Sequence, residues 1–227
     1  MPATLIDAVD DYRRGASRVK AKTFQIALHR VNSQKDRPFY NPHIQKEIGL
    51  LFHWGATTYD QAYDGYTYSV CNNPVAKEIA VVKNLELNQL AQHLWGRNSS
   101  MYAICFSAMW GAAGGNYGRF PVTPEMMVVG GYLGAELCYE KKIDPRKKIW
   151  VPEKRSIPEK NLIWNTGKMI QVPAVWHHAP YAKLDQYARY RWDITEEFFQ
   201  ITFKHLLKHY DYLIKNKGHG RAYASIV

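Results

Sequence analysis

The chain has little of what marks a disulfide-stapled, secreted or membrane-spanning protein. Cys71, Cys105 and Cys138 are its only cysteines, an odd number without CxxC spacing, which argues against a disulfide framework and against a cysteine-rich zinc site. No apolar run approaches the ~20 residues of a membrane helix, and the N-terminus lacks the basic-then-apolar order of a secretory signal. We therefore expect free thiols and synthesis in the cytoplasm of the producing cell.

Two nucleotide- and nucleic-acid-binding signals are also missing. The glycine-rich stretch 111–118 has neither the GxxxxGK[ST] nor the GxGxxG pattern, so it is interpreted as a loop at the edge of a site. The net charge of +10 favours a polyanionic partner such as nucleic acid, an anionic membrane or bacterial cell wall. The basic residues do not form the clustered stripe of a nucleic-acid-binding protein, which stays as an alternative class.

The length of 227 residues suits one large domain with an extension. Residues 1–44, which end in a proline-interrupted segment, are predicted to be an N-terminal extension, and residues 45–227 the main domain. Apolar runs predict strands, a Thr-Pro-Glu start predicts a helix, and prolines with many charges predict an irregular connection at 144–168. The predicted strands are 48–53, 66–70, 79–82, 101–107 and a short, proline-interrupted strand over 169–172 and 174–176 that leads into His177. The predicted helices are 85–94, 123–142 and a C-terminal helix from about 194.

The segment 175–185 carries the candidate chemistry. It contains the adjacent His177 and His178, then Lys183 and Asp185. The histidines offer imidazole ligands and Asp185 offers a carboxylate ligand for a metal, while Lys183 adds a positive charge. A catalytic zinc site takes three protein ligands and keeps one position open, so a further ligand must come from elsewhere. His53, at the end of an apolar strand, is the expected donor. Only one of the two neighbouring histidines should face the metal, because adjacent residues on a strand point to opposite faces.

Four blocks of the sequence resemble the zinc-dependent N-acetylmuramoyl-L-alanine amidases shared by small phage endolysins, cell-wall recycling amidases and peptidoglycan-recognition proteins. They are Leu-Phe-His-Trp-Gly at 51–55, Gly-Tyr-Thr-Tyr-Ser-Val at 65–70, residues 91–105, and 177–185. The last block is similar to a pattern in which a His is followed six residues later by a catalytic Lys and eight residues later by the final zinc ligand. That spacing favours His177 over His178.

The resemblance implies an α/β fold with a mixed central β-sheet of about five strands flanked by helices. It implies Zn2+ held by His53, His177 and Asp185, with Lys183 stabilising an oxyanion and Tyr66 orienting or deprotonating the water. Tyr66 is favoured for this role because Cys105 occupies the position at which some members carry an acid. The implied reaction is hydrolysis of the bond between N-acetylmuramic acid and L-alanine in peptidoglycan by a monomeric, bacteriolytic phage endolysin that acts on the cell wall after release.

Several alternatives remain open in the sequence. A noncatalytic peptidoglycan-binding relative would keep the fold but lose a ligand, and Asp185 could instead pair with Lys183. His93 is interpreted as structural. His205 and His209 have the i, i+4 spacing of a metal pair, but they lack the Glu of HExxH and are predicted to lie on a solvated face. Three tryptophans fit either sugar stacking or core packing: Trp54, Trp95 and Trp110.

Overall fold

A computed structural model describes residues 49–63, 65–75, 77–85, 87, 91, 101–113, 116–157, 162–184, 193–224 and 227, without the side chains of 155–157, 162–165, 182 and 183. The expected extension at 1–44 and the third predicted ligand, Asp185, lie outside these residues. So do His93 and Trp95. No helix within the described ranges is long and apolar enough to cross a membrane.

The centre of the molecule is a five-stranded mixed sheet in the order β3-β2-β4-β1-β7. The strands are β1 (Gly49–Trp54), β2 (Tyr68–Asn73), β3 (Glu78–Lys83), β4 (Met101–Phe106) and β7 (Val175–His177). β1 runs parallel to both β4 and β7, β2 runs parallel to β4, and β3 is antiparallel to β2. The predicted fold class, a mixed sheet of about five strands with flanking helices, is confirmed.

Two of the three interior strands, β1 and β4, are buried along their whole length, as continuous apolar runs predict for strands covered on both faces. One face of the sheet packs against the helices, through side chains such as Phe52, Ile104 and Phe106. The other face carries Leu51 and Met101 in a separate cluster at the beginning of the strands. The carboxyl ends of β1, β4 and β7 meet at one edge because these strands are parallel.

The first described helix, α1 (Pro124–Glu140), begins as its sequence predicts. Thr123 is the N-cap, its hydroxyl accepts a hydrogen bond from the Met126 amide at 3.3 Å, and Pro124 occupies the first turn, where it costs no backbone hydrogen bond. The helix is buried from Met126 to Cys138. It lies between the sheet and the C-terminal helix, which explains why it is apolar all round.

The expectation of an irregular connection at 144–168 was wrong. Residues Lys148–Ile157 form β5, and Leu162–Pro173 form β6, which pair as an antiparallel hairpin. A register shift lies between Pro152 and Lys154, where the ladder is interrupted and a proline is tolerated. The inner face of the hairpin buries Val151 and Val172 against Leu51 and Met101.

Two helices follow β7: α2 (His178–Leu184) and α3 (Glu196–Lys215). The predicted C-terminal helix is therefore confirmed, and Phe199, Leu206 and Leu213 are buried on its inner face. The predicted solvated face is wrong for His209, which is 4% exposed and lies 3.3 Å from the buried Glu136 carboxylate. α3 packs against α1.

Candidate metal centre

Strand register brings His53 and His178 together at the carboxyl edge of the sheet. Phe52 of β1 is paired with His177 of the parallel strand β7, so the next residues, His53 and His178, share the opposite face. Their ring centroids lie 4.9 Å apart. On the other side of His53, its register partner on β4 is Cys105. Two imidazoles and a thiol therefore lie side by side on one face.

His177 faces the helical side, away from this group. Its ring stacks on Phe199 of α3 with centroids 4.5 Å apart, and Phe52 contacts the same phenylalanine. The His177 Nδ1 lies 2.8 Å from the Ile194 carbonyl, and its Nε2 lies 2.9 Å from a Glu196 carboxylate oxygen. Both nitrogens of His177 thus have partners in the segment that leads into α3.

Asp193 completes a three-residue cluster with His53 and His178. Its Oδ2 lies 3.1 Å from the His53 Nδ1 and 2.6 Å from the His178 Nδ1. One potential ligand atom from each residue can be chosen so that all three lie within 4.8 Å of one another. All three side chains are buried, with exposures of 0, 4 and 5%. Two imidazole nitrogens and a carboxylate oxygen are a donor set that suits zinc.

The other oxygen of Asp193 fixes the carboxylate in place. Its Oδ1 accepts hydrogen bonds from the backbone amides of Trp54 at 2.6 Å and Ile194 at 3.1 Å. The Asp193 carbonyl also accepts one from the Ala179 amide at 2.7 Å, next to His178. These backbone contacts hold the loop before α3 against the ends of β1 and β7. One carboxylate oxygen is therefore left to face the two imidazoles.

Burial and charge set the protonation of this cluster. Burial lowers the pKa of His53, and the nearby Asp193 charge offsets this only in part. Burial by itself would raise the pKa of Asp193, but His53 and His178 outweigh it and hold the net pKa below its ordinary value. A neutral His53 beside an ionised Asp193 presents lone pairs and negative charge. Metal ligands must be deprotonated in this way.

Tyr66, to which the amidase resemblance assigns a role at the attacking water, lies beside the cluster. Its ring centroid is 4.9 Å from that of His53, and its side chain is 9% exposed. The Cys105 thiol makes a side-chain hydrogen bond with Tyr66, and burial raises the pKa of that thiol well above its ordinary value. Cys105 is therefore a neutral neighbour of Tyr66 rather than an acid.

The structure places the remaining sequence candidates as follows. Lys183 lies in α2, five residues after His178, in the part of the helix whose backbone alone is described. Trp54 is 7% exposed and packs in the core, whereas Trp110 is 59% exposed. His205 is half-buried on α3. The geometry groups His53 with His178 and not with His177.

Asp193 is the member that sequence reasoning missed. It lies in Trp-Asp-Ile-Thr-Glu-Glu, immediately before the helix start that was recognised at residue 194. Thr195 is the N-cap of α3, so Asp193, two residues earlier and among apolar residues, is not needed to cap the helix. An acid in such a position is a signal for a role in a site. The sequence gives no measure of how the loop before α3 folds back onto β1. That return brings Asp193 to Trp54.

Comparisons with known proteins find likeness among solved structures but not among sequence families or curated sequences. No family model matches the chain, and no curated protein sequence matches it either. Among solved structures, the chain is similar to the Staphylococcus aureus hydrolase AmiA in complex with its ligand. The identity is 12%, 93% of each chain is covered, and the TM-score is 0.48.

Proposed function

We propose that this protein is a zinc-dependent amidase that hydrolyses the bond between N-acetylmuramic acid and L-alanine in peptidoglycan. The observation that carries the proposal is the buried convergence of the His53 Nδ1, the His178 Nδ1 and an Asp193 carboxylate oxygen. The donor set fits Zn2+, because it combines two imidazoles with one anionic oxygen. The amidase-like sequence blocks support the choice of substrate.

The chain's own residues divide the work of amide hydrolysis. Zinc, when bound, supplies a Lewis acid that polarises a carbonyl and lowers the pKa of a water to roughly 7. Tyr66, in ring contact with His53, is assigned to orient the attacking water or, as the tyrosinate, to accept its proton. Lys183 is assigned the oxyanion of the tetrahedral intermediate, a role that follows from its place in the amidase-like block.

This ligand set differs from the one that residue spacing favours. In the proposal His178 replaces His177, because the register puts His178 on the face of His53. Asp193 takes the carboxylate position for which Asp185 remains the sequence-based candidate. The proposal includes the bacteriolytic role of a phage endolysin that reaches the cell wall after release. The net charge of +10 supports this role, because it favours binding to an anionic polymer such as the cell wall.

Metal content and product chemistry together test the proposal. The purified protein should hold about one zinc per chain by elemental analysis. His53→Ala should lose the metal and at least ~10²-fold in turnover, because the metal contributes several kcal/mol to transition-state stabilisation. His219→Ala, which removes an exposed histidine after α3, is the matched control and should keep both.

The products separate an amidase from other wall-degrading enzymes. Digested peptidoglycan should release stem peptides with a free L-alanine amino group and no new reducing sugar ends. New reducing ends would show glycan cleavage instead. A zinc-loaded protein that binds peptidoglycan without releasing either product would be the noncatalytic relative.

A further inference from the structure

Tyr63 extends the aromatic surface of the metal centre to the outside of the protein. Its ring centroid lies 5.3 Å from that of Tyr66, and Tyr66 in turn lies 4.9 Å from His53. Exposure rises along this series, from 0% at His53 to 9% at Tyr66 and 47% at Tyr63. Two ring contacts therefore connect the buried cluster to a half-exposed aromatic face.

Four hydrogen bonds fix the backbone at Tyr63 and Tyr66. The Tyr63 amide donates to the buried Ser69 hydroxyl at 3.1 Å, and the Tyr66 amide donates to the Tyr63 carbonyl at 3.3 Å. The Asn84 side-chain amide donates to that hydroxyl at 2.8 Å and to the Tyr66 carbonyl at 3.3 Å. Ser69 lies on β2, in register with Cys105, so the turn is tied to the strands that carry the site.

Rigid support matters because a preformed aromatic face binds at low entropic cost. Tyrosine offers a flat apolar ring with a polar hydroxyl at its edge and has only two side-chain torsions to restrict. In a muramoyl peptide the scissile amide lies between a rigid sugar ring and a flexible peptide. The sugar matches a rigid, half-exposed ring best, because ordering the peptide would cost more side-chain and backbone freedom.

We infer that Tyr63 is a substrate-binding residue that stacks against the sugar ring next to the scissile amide, an inference that rests on the amidase function proposed above. Tyr63 then determines how strongly the enzyme prefers a substrate that has a sugar over a bare lactyl peptide. The chemistry at the metal does not involve Tyr63. Its removal should therefore weaken substrate binding without changing the chemical step.

A pair of substrates isolates the contact. One is an N-acetylmuramoyl peptide, and the other is the matching D-lactyl peptide, which keeps the amide but lacks the sugar ring. Tyr63→Ala should raise the KM for the muramoyl peptide roughly 5- to 20-fold, the scale of an aromatic contact, with kcat within about twofold. The KM for the lactyl peptide should not change. Tyr63→Phe and Tyr63→Trp should keep the wild-type preference to within about threefold.

Controls separate this inference from the proposed function. Zinc content and thermal stability of every variant should match the wild type, and Trp150→Ala, which removes an exposed aromatic side chain on the β5–β6 hairpin, should leave both KM values unchanged. If zinc-loaded wild type cleaves neither substrate, the amidase function fails. If wild type cleaves both and Tyr63→Ala is unaffected, or loses equally on both, the sugar contact is wrong while the amidase function stands.

Discussion

At the scale of single residues, Asp193 does two different things with its two carboxylate oxygens. One oxygen accepts backbone hydrogen bonds from Trp54 and Ile194, and the other faces His53 and His178. A ligand held in this way does not have to be ordered when the metal arrives, which reduces the entropic cost of binding. The backbone contacts therefore belong to the candidate metal site, because they orient its only carboxylate among the described residues.

His177 acts on the same segment from the opposite face. Through Ile194 and Glu196 it holds the chain on either side of Thr195, directly after Asp193. Residues that orient a ligand typically contribute 10- to 100-fold to metal affinity without touching the metal. We expect the two neighbouring histidines to differ accordingly. His178 should bind the metal directly, whereas His177 should position the ligand Asp193.

The two histidines can be distinguished by zinc titration. His178→Ala should bind no zinc at one equivalent, whereas His177→Ala should still bind about one zinc per chain with an affinity ~10- to 100-fold weaker. His177→Asn, whose amide can still donate to the Ile194 carbonyl, should recover part of that loss. The reverse outcome, in which His178→Ala keeps zinc and His177→Ala loses it, would show that His177, the histidine favoured by spacing, is the ligand.

The choice between these two histidines shows what the sequence could not supply. Spacing within residues 177–185 identified the segment, and the run ending in His53 identified its partner strand. Which neighbour faces the metal depends on the pairing of Phe52 with His177, and a parallel register between distant segments is not encoded in either one. Asp193 was missed for the same reason, since its contact with Trp54 joins two residues that are 139 positions apart in the sequence.

At the scale of elements, α1 and α3 approach each other closely at a glycine. An ideal Cβ on Gly131 would lie 2.7 Å from the Thr202 carbonyl oxygen and 2.9 Å from the His205 Cβ. Backbone atoms of α3 cannot move aside as a flexible side chain can. The close contact brings α3, and with it the helix start next to Asp193, against the core of the sheet.

Gly131→Ala tests this approach. Alanine is favoured over glycine in a helix by about 1 kcal/mol, but overpacking against a backbone costs roughly 1–3 kcal/mol, so we expect net destabilisation of up to about 2 kcal/mol. Urea denaturation monitored by circular dichroism measures it. Lys204→Ala, at an exposed position of α3, should stay within about 0.5 kcal/mol of wild type. Equal stabilities for the two variants would mean that the helices separate at little cost.

Element prediction succeeded where local signals were strong. The Thr123 cap with Pro124 identified α1, and continuous apolar runs identified the strands of the central sheet. The strand prediction over 169–172 falls within β6, but the rest of the β5–β6 hairpin was missed because Pro145, Pro152 and Pro158 were interpreted as breaks. The apolar alternation of a strand was present, in Ile149 with Val151 and in Ile170 with Val172. It could be interpreted only with the knowledge that these residues pack on the face of the sheet that carries Leu51.

At the scale of the whole molecule, the two faces of the sheet have different roles. The face toward α1 and α3 buries the main core, and the other carries the hairpin at one end and the candidate metal centre at the carboxyl end. The candidate metal centre therefore lies where parallel strands end, while the helices pack against the opposite face of the sheet. The C-terminal chain after α3 belongs to this supporting half, since Tyr223 is 3% exposed and part of the core.

A buried carboxylate attaches that C-terminal chain. Glu136 of α1 is 0% exposed, and its Oε1 accepts from the Ala222 amide at 2.6 Å while its Oε2 accepts from the Tyr223 amide at 2.8 Å. His209 of α3 lies 3.3 Å from the Oε1 and stacks on Tyr132. One side chain thus joins α1, α3 and the end of the chain. A buried carboxyl group with these hydrogen-bond partners is costly to disturb.

Glu136→Gln tests this attachment, with Glu140→Gln as a control one turn further along the same helix. Whichever oxygen becomes NH2, a donor then faces the Ala222 or Tyr223 amide, so we expect a loss of about 1–3 kcal/mol in the free energy of unfolding. Glu140 forms a partly exposed pair with Arg221, with exposures of 43% and 28%, and its loss should cost less than about 1 kcal/mol. Hydrogen exchange should accelerate at residues 222 and 223 in Glu136→Gln, while the zinc content of the folded protein stays near one. Similar stabilities for both variants, with slow exchange retained at 222 and 223, would show that apolar packing of Tyr223 holds the C-terminal chain without Glu136.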